Sequence, residues 1–289
     1  MIYLALSIFC SVTVGILLKL AKRYQISIAQ VVTWNYLFAI GLSAFFFRPA
    51  LSDLRFDSVK PIHLLLGVLL PTIFVFLALS VQKTGLARTD IAQRLSLFIS
   101  LAAAFFLFKE VFAPLKYYGI AVGILAIVFT LYRKSAFEVN YQDWLYPLLV
   151  CMGFGVIDVS FKLISQYTSL PYTTSLFLVF CIAFVLSLAY IFYLAATKRT
   201  NLQLINFLCG CVLGFFNFGN ILFYMKAHRA LADNPSTVFA AMNLGVIICG
   251  SLIGILIFKE KLNKLNYLGL VLALLSIILI TLAQLDVVR

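Results

Sequence analysis

Long apolar stretches, separated by short polar segments, run along the whole chain. Each stretch is about 20 residues long, which is the length a helix needs to cross the hydrocarbon core of a bilayer. The stretches are continuous and too long for the alternating strands of a membrane β-barrel. The pattern therefore predicts an all-α polytopic membrane protein with ten transmembrane helices, at roughly residues 2–21, 28–47, 62–82, 89–108, 114–132, 144–164, 172–195, 203–225, 235–257 and 265–284.

Two halves of the chain repeat one another. The tripeptide Phe108-Lys109-Glu110 recurs 150 residues later as Phe258-Lys259-Glu260, and eight of the 23 residues from Phe105 to Ile127 are identical in the second copy. Shorter matches occur earlier in each half. They pair Lys19-Leu20 with Lys162-Leu163, and Gly85-Leu86-Ala87 with Ala230-Leu231-Ala232. An internal repeat in a strongly apolar chain is typical of a duplicated membrane transporter.

The repeat predicts two units of five spans each, residues 1–138 and 139–289, within one membrane domain. Because five is an odd number, the two halves would enter the membrane from opposite sides. A pseudo-twofold axis in the membrane plane would then relate them. Such a pair has two near-equivalent arrangements, each open to one side of the membrane. The sequence therefore predicts inverted repeats and transport by alternating access.

The repeated motifs resemble those of the drug/metabolite transporter superfamily, EamA type. They are Gly85-Leu86-Ala87-Arg88, Phe108-Lys109-Glu110 and Tyr117-x-Gly119, with the counterparts Ala230-Leu231-Ala232, Phe258-Lys259-Glu260 and Tyr267-x-Gly269. The resemblance implies a carrier in the bacterial inner (plasma) membrane, often an exporter, for amino acids or other small metabolites. It also implies cytoplasmic termini. The distribution of Lys and Arg residues between the spans weakly favours termini outside the cytoplasm. We nevertheless adopt the orientation of the family.

Composition narrows the class of protein further. The chain is 64% hydrophobic and 11% charged, and a soluble protein of 289 residues could not hide so much apolar surface. The net charge of +12 comes from basic residues that lie mostly at span ends. There they contact lipid head groups and set topology, rather than bind nucleic acid. The expected partners are a small-molecule substrate and the lipid bilayer, and both a monomer and a homodimer fit the sequence.

The residue sets of membrane enzymes are missing from the sequence. Neither His63 nor His228 belongs to a His-Glu-x-x-His motif, and there is no Gly-x-Ser-x-Gly elbow or aspartate pair in facing spans. The six cysteines lie inside spans and are expected to pack as small apolar side chains. We therefore predict that the protein is not an enzyme and has no catalytic residue, metal site or cofactor.

Asp158 is the strongest candidate for a functional residue. It lies about 6 Å beyond the middle of the sixth span, where a charge costs on the order of 2.5–3.5 kcal/mol. Lys162 follows four residues later on the same helix face and can pair with it. One interpretation is a proton or substrate site that faces a cavity. The other is a structural Asp158–Lys162 pair, with the lysine extended to the membrane interface.

The eighth span carries a stripe of small and polar residues. Steps of four and three place Gly210, Gly214, Asn217, Asn220 and Tyr224 on one helix face. A polar stripe would be costly against lipid, so it should face protein or a water-filled cavity. The alternative to lining a cavity is helix packing of the small-xxx-small type, with the asparagines bonding across the interface.

The fourth span carries Asp90, Gln93 and Arg94 near its start. Asp90 and Arg94 form an interfacial ion pair in one interpretation, and Arg94 meets an anionic group of the substrate in the other. Lys19, near the end of the first span, either reaches the interface or faces the cavity. Further polar or aromatic candidates for lining the cavity are Trp34, Asn35 and Asn243.

Two features at helix ends are predicted to be structural. Glu110 precedes Pro114 at the start of the fifth span, and a carboxylate near a helix N-terminus is favoured by the helix dipole. The equivalent Glu260 is expected to act in the same way. Asn263 is predicted to cap the tenth span.

The charges inside the spans indicate the class of ligand. Lys19, Arg94 and Lys162 outnumber Asp158 by two, and a cavity that they shared would prefer a carboxylate or phosphate. We therefore predict a secondary transporter of small metabolites such as amino acids, with Asp158 as the coupling group if protons drive it. The alternative is a translocase of lipid-linked or phosphorylated compounds, which a lateral opening between helices would support.

Overall fold

A computed structural model of the chain describes residues 2–23, 26–49, 59–84, 86–131, 141–166, 170–197, 202–257 and 263–287. At some positions within helices, including Lys19 and Asp90, it describes the backbone alone. The residues in these ranges form ten α-helices and one short 3₁₀ helix, and none forms a β-strand. The α-helices are α1 (Ile2–Arg23), α2 (Ile28–Phe47), α3 (Pro61–Thr84), α4 (Leu86–Phe106), α5 (Pro114–Leu131), α6 (Leu145–Ser165), α7 (Tyr172–Ala196), α8 (Leu204–Ala230), α9 (Pro235–Leu256) and α10 (Lys264–Val287).

The positions of the helices match the apolar pattern of the sequence, and each begins within three residues of its predicted start. Among the described residues, seven helices are long and apolar enough to cross a membrane: α2, α3 and α6 to α10. The apolar stretches of α1, α4 and α5 are shorter, at Ile2–Leu18, Ile91–Phe106 and Pro114–Thr130. The all-helical fold is therefore confirmed, and the count of ten transmembrane helices stays a prediction.

The packing of the helices repeats between the two halves. Each of the following contacts has a counterpart in which helices α1 to α5 are replaced by α6 to α10, in order, and helices α6 to α10 by α1 to α5. Helix α1 packs on α8 and α9, and α6 packs on α3 and α4. Helix α2 packs on α7 and α8, and α7 packs on α2 and α3. A twofold relation between the halves would produce this exchange of partners. The opposite orientation of the halves in the membrane stays a prediction, and their predicted boundary at residues 138 and 139 lies outside the described ranges.

Helices α5 and α10 form a close seam between the two halves. A Cβ atom at Gly119 would lie 2.7 Å from Ile280 Cγ1 and 3.1 Å from the Ile280 backbone nitrogen. A Cβ atom at Gly269 would collide with the Thr130 backbone nitrogen and lie 2.9 Å from the Ala126 carbonyl oxygen. Glycine at these positions lets the two backbones approach closely. The glycines of both Tyr-x-Gly motifs therefore build the seam between α5 and α10.

Asn263 and Asn266 cap the start of α10 by binding one another. Asn266 N–H donates to Asn263 Oδ1 at 2.8 Å, and Asn263 N–H donates to Asn266 Oδ1 at 3.0 Å. This reciprocal arrangement satisfies two donors that a helix start would otherwise leave open. The predicted capping role of Asn263 is confirmed.

Candidate functional site

The carboxylate of Asp158 joins three helices. Asp158 lies about two thirds of the way along α6 and is half-buried. Ser100 Oγ on α4 donates a hydrogen bond to one carboxylate oxygen at 3.1 Å, and the Tyr224 hydroxyl on α8 donates to the other at 3.1 Å. The Arg94 guanidinium on α4 lies within electrostatic reach of the same carboxylate. Two hydroxyl donors and a cation thus offset the cost of this charge.

Aromatic rings on α8 and α9 cover the side of the Asp158 site that faces the C-terminal end of α8. The Tyr224 ring stands edge-on to the His228 ring, with 4.6 Å between their centroids, and His228 meets Phe239 in the same way at 4.8 Å. His228 is fully buried, and neither of its ring nitrogens has a hydrogen-bond partner in the described part of the chain. The rings therefore separate the Asp158 carboxylate from this end of the bundle.

The ion pair between Asp158 and Lys162 does not form among the described residues, so that structural interpretation is wrong. The Lys162 ammonium donates a hydrogen bond to the Ala232 carbonyl oxygen at 2.6 Å and lies 5.7 Å from the centre of the Phe108 ring. Its side chain extends along α6 towards the connection between α8 and α9, whereas the Asp158 carboxylate points across to α4 and α8. Lys162 is also fully buried and does not extend to solvent.

The first part of the α8 stripe packs against α2. A Cβ atom at Gly214 would lie 2.8 Å from the Asn35 carbonyl oxygen, and one at Gly210 would lie 3.0 Å from the Val31 carbonyl oxygen. Asn217 Nδ2 donates a hydrogen bond to Asn35 Oδ1 at 3.0 Å. This is the packing alternative, in which small residues allow close approach and the asparagines bond across the interface.

The second part of the stripe turns towards the interior of the bundle. Ser7 Oγ on α1 donates a hydrogen bond to Asn220 Oδ1 at 2.9 Å and lies 3.5 Å from the Met242 sulfur on α9. One turn further along α8, Tyr224 holds Asp158. This single face of α8 thus meets α2 first, then α1 and α9, and finally α6. Its last two polar residues, Asn220 and Tyr224, lie with the polar groups of the interior.

Comparison with known proteins decides the family of the chain. The model of the EamA-like transporter family matches residues 144–282, which correspond to α6 through most of α10. The chain belongs to this family. The family lies within the drug/metabolite transporter superfamily, so the resemblance drawn from the repeated motifs is confirmed.

Two similar proteins match nearly the whole chain. A protein of Haemophilus influenzae, itself described only as an uncharacterized protein, is 38% identical over 282 residues, which are 95% of each chain. One solved crystal structure matches with a TM-score of 0.69 over 96% of each chain. Its sequence identity is 15%, so this likeness shows the fold alone.

Membership of the EamA-like family fixes the general activity of the chain. Proteins of this family are membrane transporters and not enzymes. The chain is therefore an integral membrane protein that moves a small molecule across a lipid bilayer.

Among the described residues, two further predicted site residues, Trp34 and Asn243, make contacts away from Asp158. Trp34 packs edge-on against Phe207 at 5.4 Å in the interface of α2 and α8. Asn243 Nδ2 donates to the Phe239 carbonyl of its own helix at 3.0 Å. Gln93 is half-buried beside Arg94 on α4. The side chain of Lys19, like those of Asp90 and the second tripeptide Phe258-Lys259-Glu260, lies outside the described residues.

Glu110 caps a helix start in the EamA-like transporter, but the helix is α9 rather than α5. Its carboxylate accepts hydrogen bonds from the Ser236 backbone N–H at 2.9 Å and the Ser236 hydroxyl at 2.7 Å. Ser236 is the second residue of α9, after Pro235. The Lys116 ammonium of α5 balances the charge of Glu110 at 2.5 Å. The predicted structural role is observed, and tertiary packing selects the helix.

Sequence patterns missed two residues that belong to the site. Ser100 binds Asp158, yet it lies 58 residues away on another helix. The available signal was Ser96 and Ser100 one turn apart in the otherwise apolar end of α4. His228 belongs to no catalytic motif of the sequence, and only the structure shows that it is fully buried against Tyr224.

Proposed function

We propose that this transporter is a secondary carrier that exports small metabolites with an anionic group, such as amino acids, by alternating access and in exchange for protons. We place it in the bacterial inner membrane with cytoplasmic termini, as the family resemblance implies. The observation that carries the proposal is the Asp158 carboxylate, held by hydroxyl groups from α4 and α8 beside Arg94.

The contacts of Asp158 suit a proton-coupled site. An ionised carboxylate only accepts hydrogen bonds, whereas a protonated one also donates. Protonation of Asp158 would therefore change its bonds with Ser100 on α4 and Tyr224 on α8. These two helices belong to different predicted halves of the chain. A single proton could thus bias how the halves sit against one another, which is what coupling to alternating access requires.

The preference for an anionic group rests on Arg94. Lys162, which the sequence placed in the same cavity, is held by the Ala232 carbonyl and has Asp233 and Glu110 as the acidic groups within its electrostatic reach. Arg94 is the described cation that acts on Asp158. A guanidinium is a strong partner for a carboxylate or phosphate, so we place the anionic group of the substrate at Arg94.

A substrate screen tests the proposed function. Purified protein in proteoliposomes should move radiolabelled amino acids, organic acids or phosphorylated metabolites faster than protein-free vesicles do. Transport should depend on an imposed pH gradient. Transport of cationic drugs alone, with every anionic compound ignored, would overturn the proposed ligand class.

A pocket on the outer surface favours a second candidate function, the translocation of lipid-linked compounds. It has a volume of about 280 Å³ and lies between α1, α2 and α8. Its lining includes Leu17, Val31, Leu208 and Val212, and the exposure of Leu208 and Val212 shows that it opens on the bundle surface. An apolar pocket of this kind can hold an acyl chain. Flipping of a fluorescent phospholipid by the same proteoliposomes would favour this candidate, and its absence would exclude it.

Arg94→Gln should weaken the binding of anionic substrates. Loss of a charge-assisted hydrogen bond costs about 1.5–3 kcal/mol, so the KM for an anionic substrate should rise roughly tenfold or more. Arg94→Lys keeps the charge and should recover part of the affinity. The measurement is the concentration dependence of initial uptake. An unchanged KM in Arg94→Gln would remove Arg94 from the binding site.

A further inference from the structure

The cluster around Glu110 closes one end of the transporter. We call it the Glu110 corner and define it by Glu110, Lys116, Lys162 and the connection between α8 and α9, residues 231–234. Glu110 is 6% exposed, Lys116 is 2% exposed and Lys162 is 0% exposed. Three charged side chains that lie at helix ends are thus sealed from solvent, so this corner is tightly closed.

Three contacts of the corner cross between the predicted halves. Glu110 of the first half accepts from the backbone and hydroxyl of Ser236 in the second half. Lys116 of the first half donates to Asn234 Oδ1 of the second half at 3.1 Å. The ring of Phe108 lies beneath the Lys162 ammonium of the second half. Movement of one half against the other would break all three contacts together.

The backbone at the end of α4 aims Glu110 into the corner. Lys109 adopts a left-handed conformation with a φ of 50°, and Glu110 N–H donates to the Ala104 carbonyl at 3.0 Å. A left-handed residue after a helix reverses the chain direction sharply. The side chain of Lys109 is therefore exposed, whereas its neighbour Glu110 is buried.

The corner brings together three of the short motifs that the sequence repeats. Lys162 belongs to the Lys-Leu match, Ala232 to the Ala-Leu-Ala match and Glu110 to the Phe-Lys-Glu match. The first two come from the second half, and the third comes from the first half. The sequence contains the same three motifs once more with the halves exchanged, in Lys19-Leu20, Gly85-Leu86-Ala87 and Phe258-Lys259-Glu260.

The corner lies directly beyond the Asp158 site. Lys162 follows Asp158 by one helical turn on α6, and His228 follows Tyr224 by one turn on α8. The buried ring of His228 contacts Tyr224 of the site and lies within electrostatic reach of Lys162 in the corner. A solute leaving Asp158 towards this end of the bundle would therefore have to pass through the corner.

We propose that the Glu110 corner is a gate of the transporter. It is closed in this conformation and opens when the three contacts between the halves break, namely Glu110 with Ser236, Lys116 with Asn234 and Lys162 with Phe108. Lys162 and Glu110 are thus gate residues and not ligands of the substrate. Burial of three charges is costly and is offset only by these specific partners, so water can replace the partners once the halves move apart. This inference rests on the proposed transport by alternating access.

The test measures the width of the corner by pulsed electron paramagnetic resonance. Spin labels are attached to cysteines at the exposed positions Leu107 and Ala230, in full-length protein whose six native cysteines are replaced. Lys162→Gln and Ser236→Ala should each shift the ratio of short to long distances roughly tenfold towards the open state, because each removes a contact of a charged group across the halves, with the Phe108 ring or with Glu110. Lys83→Gln is the control, since Lys83 pairs with Asp143 at the opposite end of α6.

The repeat supplies a second, reciprocal variant. Because Lys19 is the counterpart of Lys162 in the sequence, Lys19→Gln should shift the same distances towards the short, closed population. Distances that stay unchanged in both Lys162→Gln and Ser236→Ala, with both proteins folded, would overturn the gate.

Cross-linking separates the gate from the proposed function. A bifunctional thiol reagent that joins the cysteines at Leu107 and Ala230 should stop transport, and a cleavable reagent should restore it on cleavage. Full transport by the cross-linked protein would refute the gate. Failure of the uncross-linked protein to carry any anionic metabolite would refute the proposed function, and the distance measurements would still decide the gate.

Discussion

Asp158→Asn is expected to abolish transport driven by a pH gradient and to leave substrate exchange intact. Asparagine is close to aspartate in size. Its Oδ1 can accept a hydrogen bond from one of the two hydroxyls that now hold the carboxylate at 3.1 Å each, and its Nδ2 can donate to the other. Unlike aspartate, it cannot gain or lose a proton. Exchange needs only the movement of loaded carriers between the two sides, whereas accumulation needs a proton to move in the same cycle.

The expected loss of substrate accumulation follows from the size of the imposed pH gradient. A gradient of one pH unit corresponds to a factor of ten in concentration, so about two units could support roughly hundredfold accumulation per proton. The variant should show none, while its exchange of labelled for unlabelled substrate continues. Both quantities are measured in the same proteoliposomes, with and without an imposed gradient.

Asp143→Asn is the matched control for this experiment. Asp143 lies in the 3₁₀ helix before α6 and faces Lys83 at 3.9 Å, at the far end of α6 from the Glu110 corner. Its neutralisation should leave accumulation unchanged. If Asp158→Asn still accumulated substrate with an unaltered dependence on pH, Asp158 would have no part in coupling.

Gly269→Leu and Gly119→Leu are expected to destabilise the transporter strongly. Overpacking a close helix contact costs typically about 1–3 kcal/mol, and more where the neighbouring atoms cannot move. At Gly269 the neighbours are the Thr130 backbone nitrogen and the Ala126 carbonyl, and at Gly119 they include the Ile280 backbone nitrogen. Because backbone atoms cannot rotate away, we expect a loss of about 3 kcal/mol or more at each position.

The measurement is the fraction of monodisperse protein that survives heating in detergent. Gly41→Leu and Gly15→Leu are the controls, because both glycines are exposed and a Cβ there would meet no atom within 4 Å. Leucine raises the helix propensity equally in the controls. The difference in heat resistance therefore reports the packing of the seam alone. A Gly269→Leu protein as heat-resistant as Gly41→Leu would show that α5 and α10 do not pack in this way.

The helices were predictable from the sequence because the length of an apolar stretch is a local property. The pairing of Asp158 was not. The spacing of four residues singled out Lys162, which shares its helix, whereas the observed donors Ser100 and Tyr224 lie on α4 and α8. Which helices adjoin α6 depends on the packing of the whole bundle, and no local pattern encodes it.

Glu110 and the α8 stripe also show that a local sequence pattern does not identify the helix it contacts. The chemistry of Glu110 as a capping carboxylate was predictable, but the capped helix begins far along the chain at Pro235. Periodicity placed Gly210 and Tyr224 on one face of α8, yet that face meets α2 at one end and α6 at the other. A helix face is a local property, and its neighbours are a tertiary one.

The sequence alone also shows that the two halves differ at the position of Asp158. Its counterpart in the first half is Gly15, which is exposed and where an added Cβ atom would meet no other atom within 4 Å. The scaffold of the two halves is shared, whereas the carboxylate belongs to one of them. This is consistent with the proposal that the specific chemistry of the transporter resides where the halves differ.

The seam between α5 and α10 has an evolutionary consequence. Gly119 meets Ile280 and Gly269 meets Thr130, and a shift of 150 residues converts one contact into the other. An interface whose contacts recur with the partners exchanged is self-complementary, like that of a symmetric homodimer. Backbone atoms of the partner helix stand against both glycines, so a smaller side chain opposite cannot make room for a bulkier residue at either position. Glycine should therefore be inherited at positions 119 and 269 together.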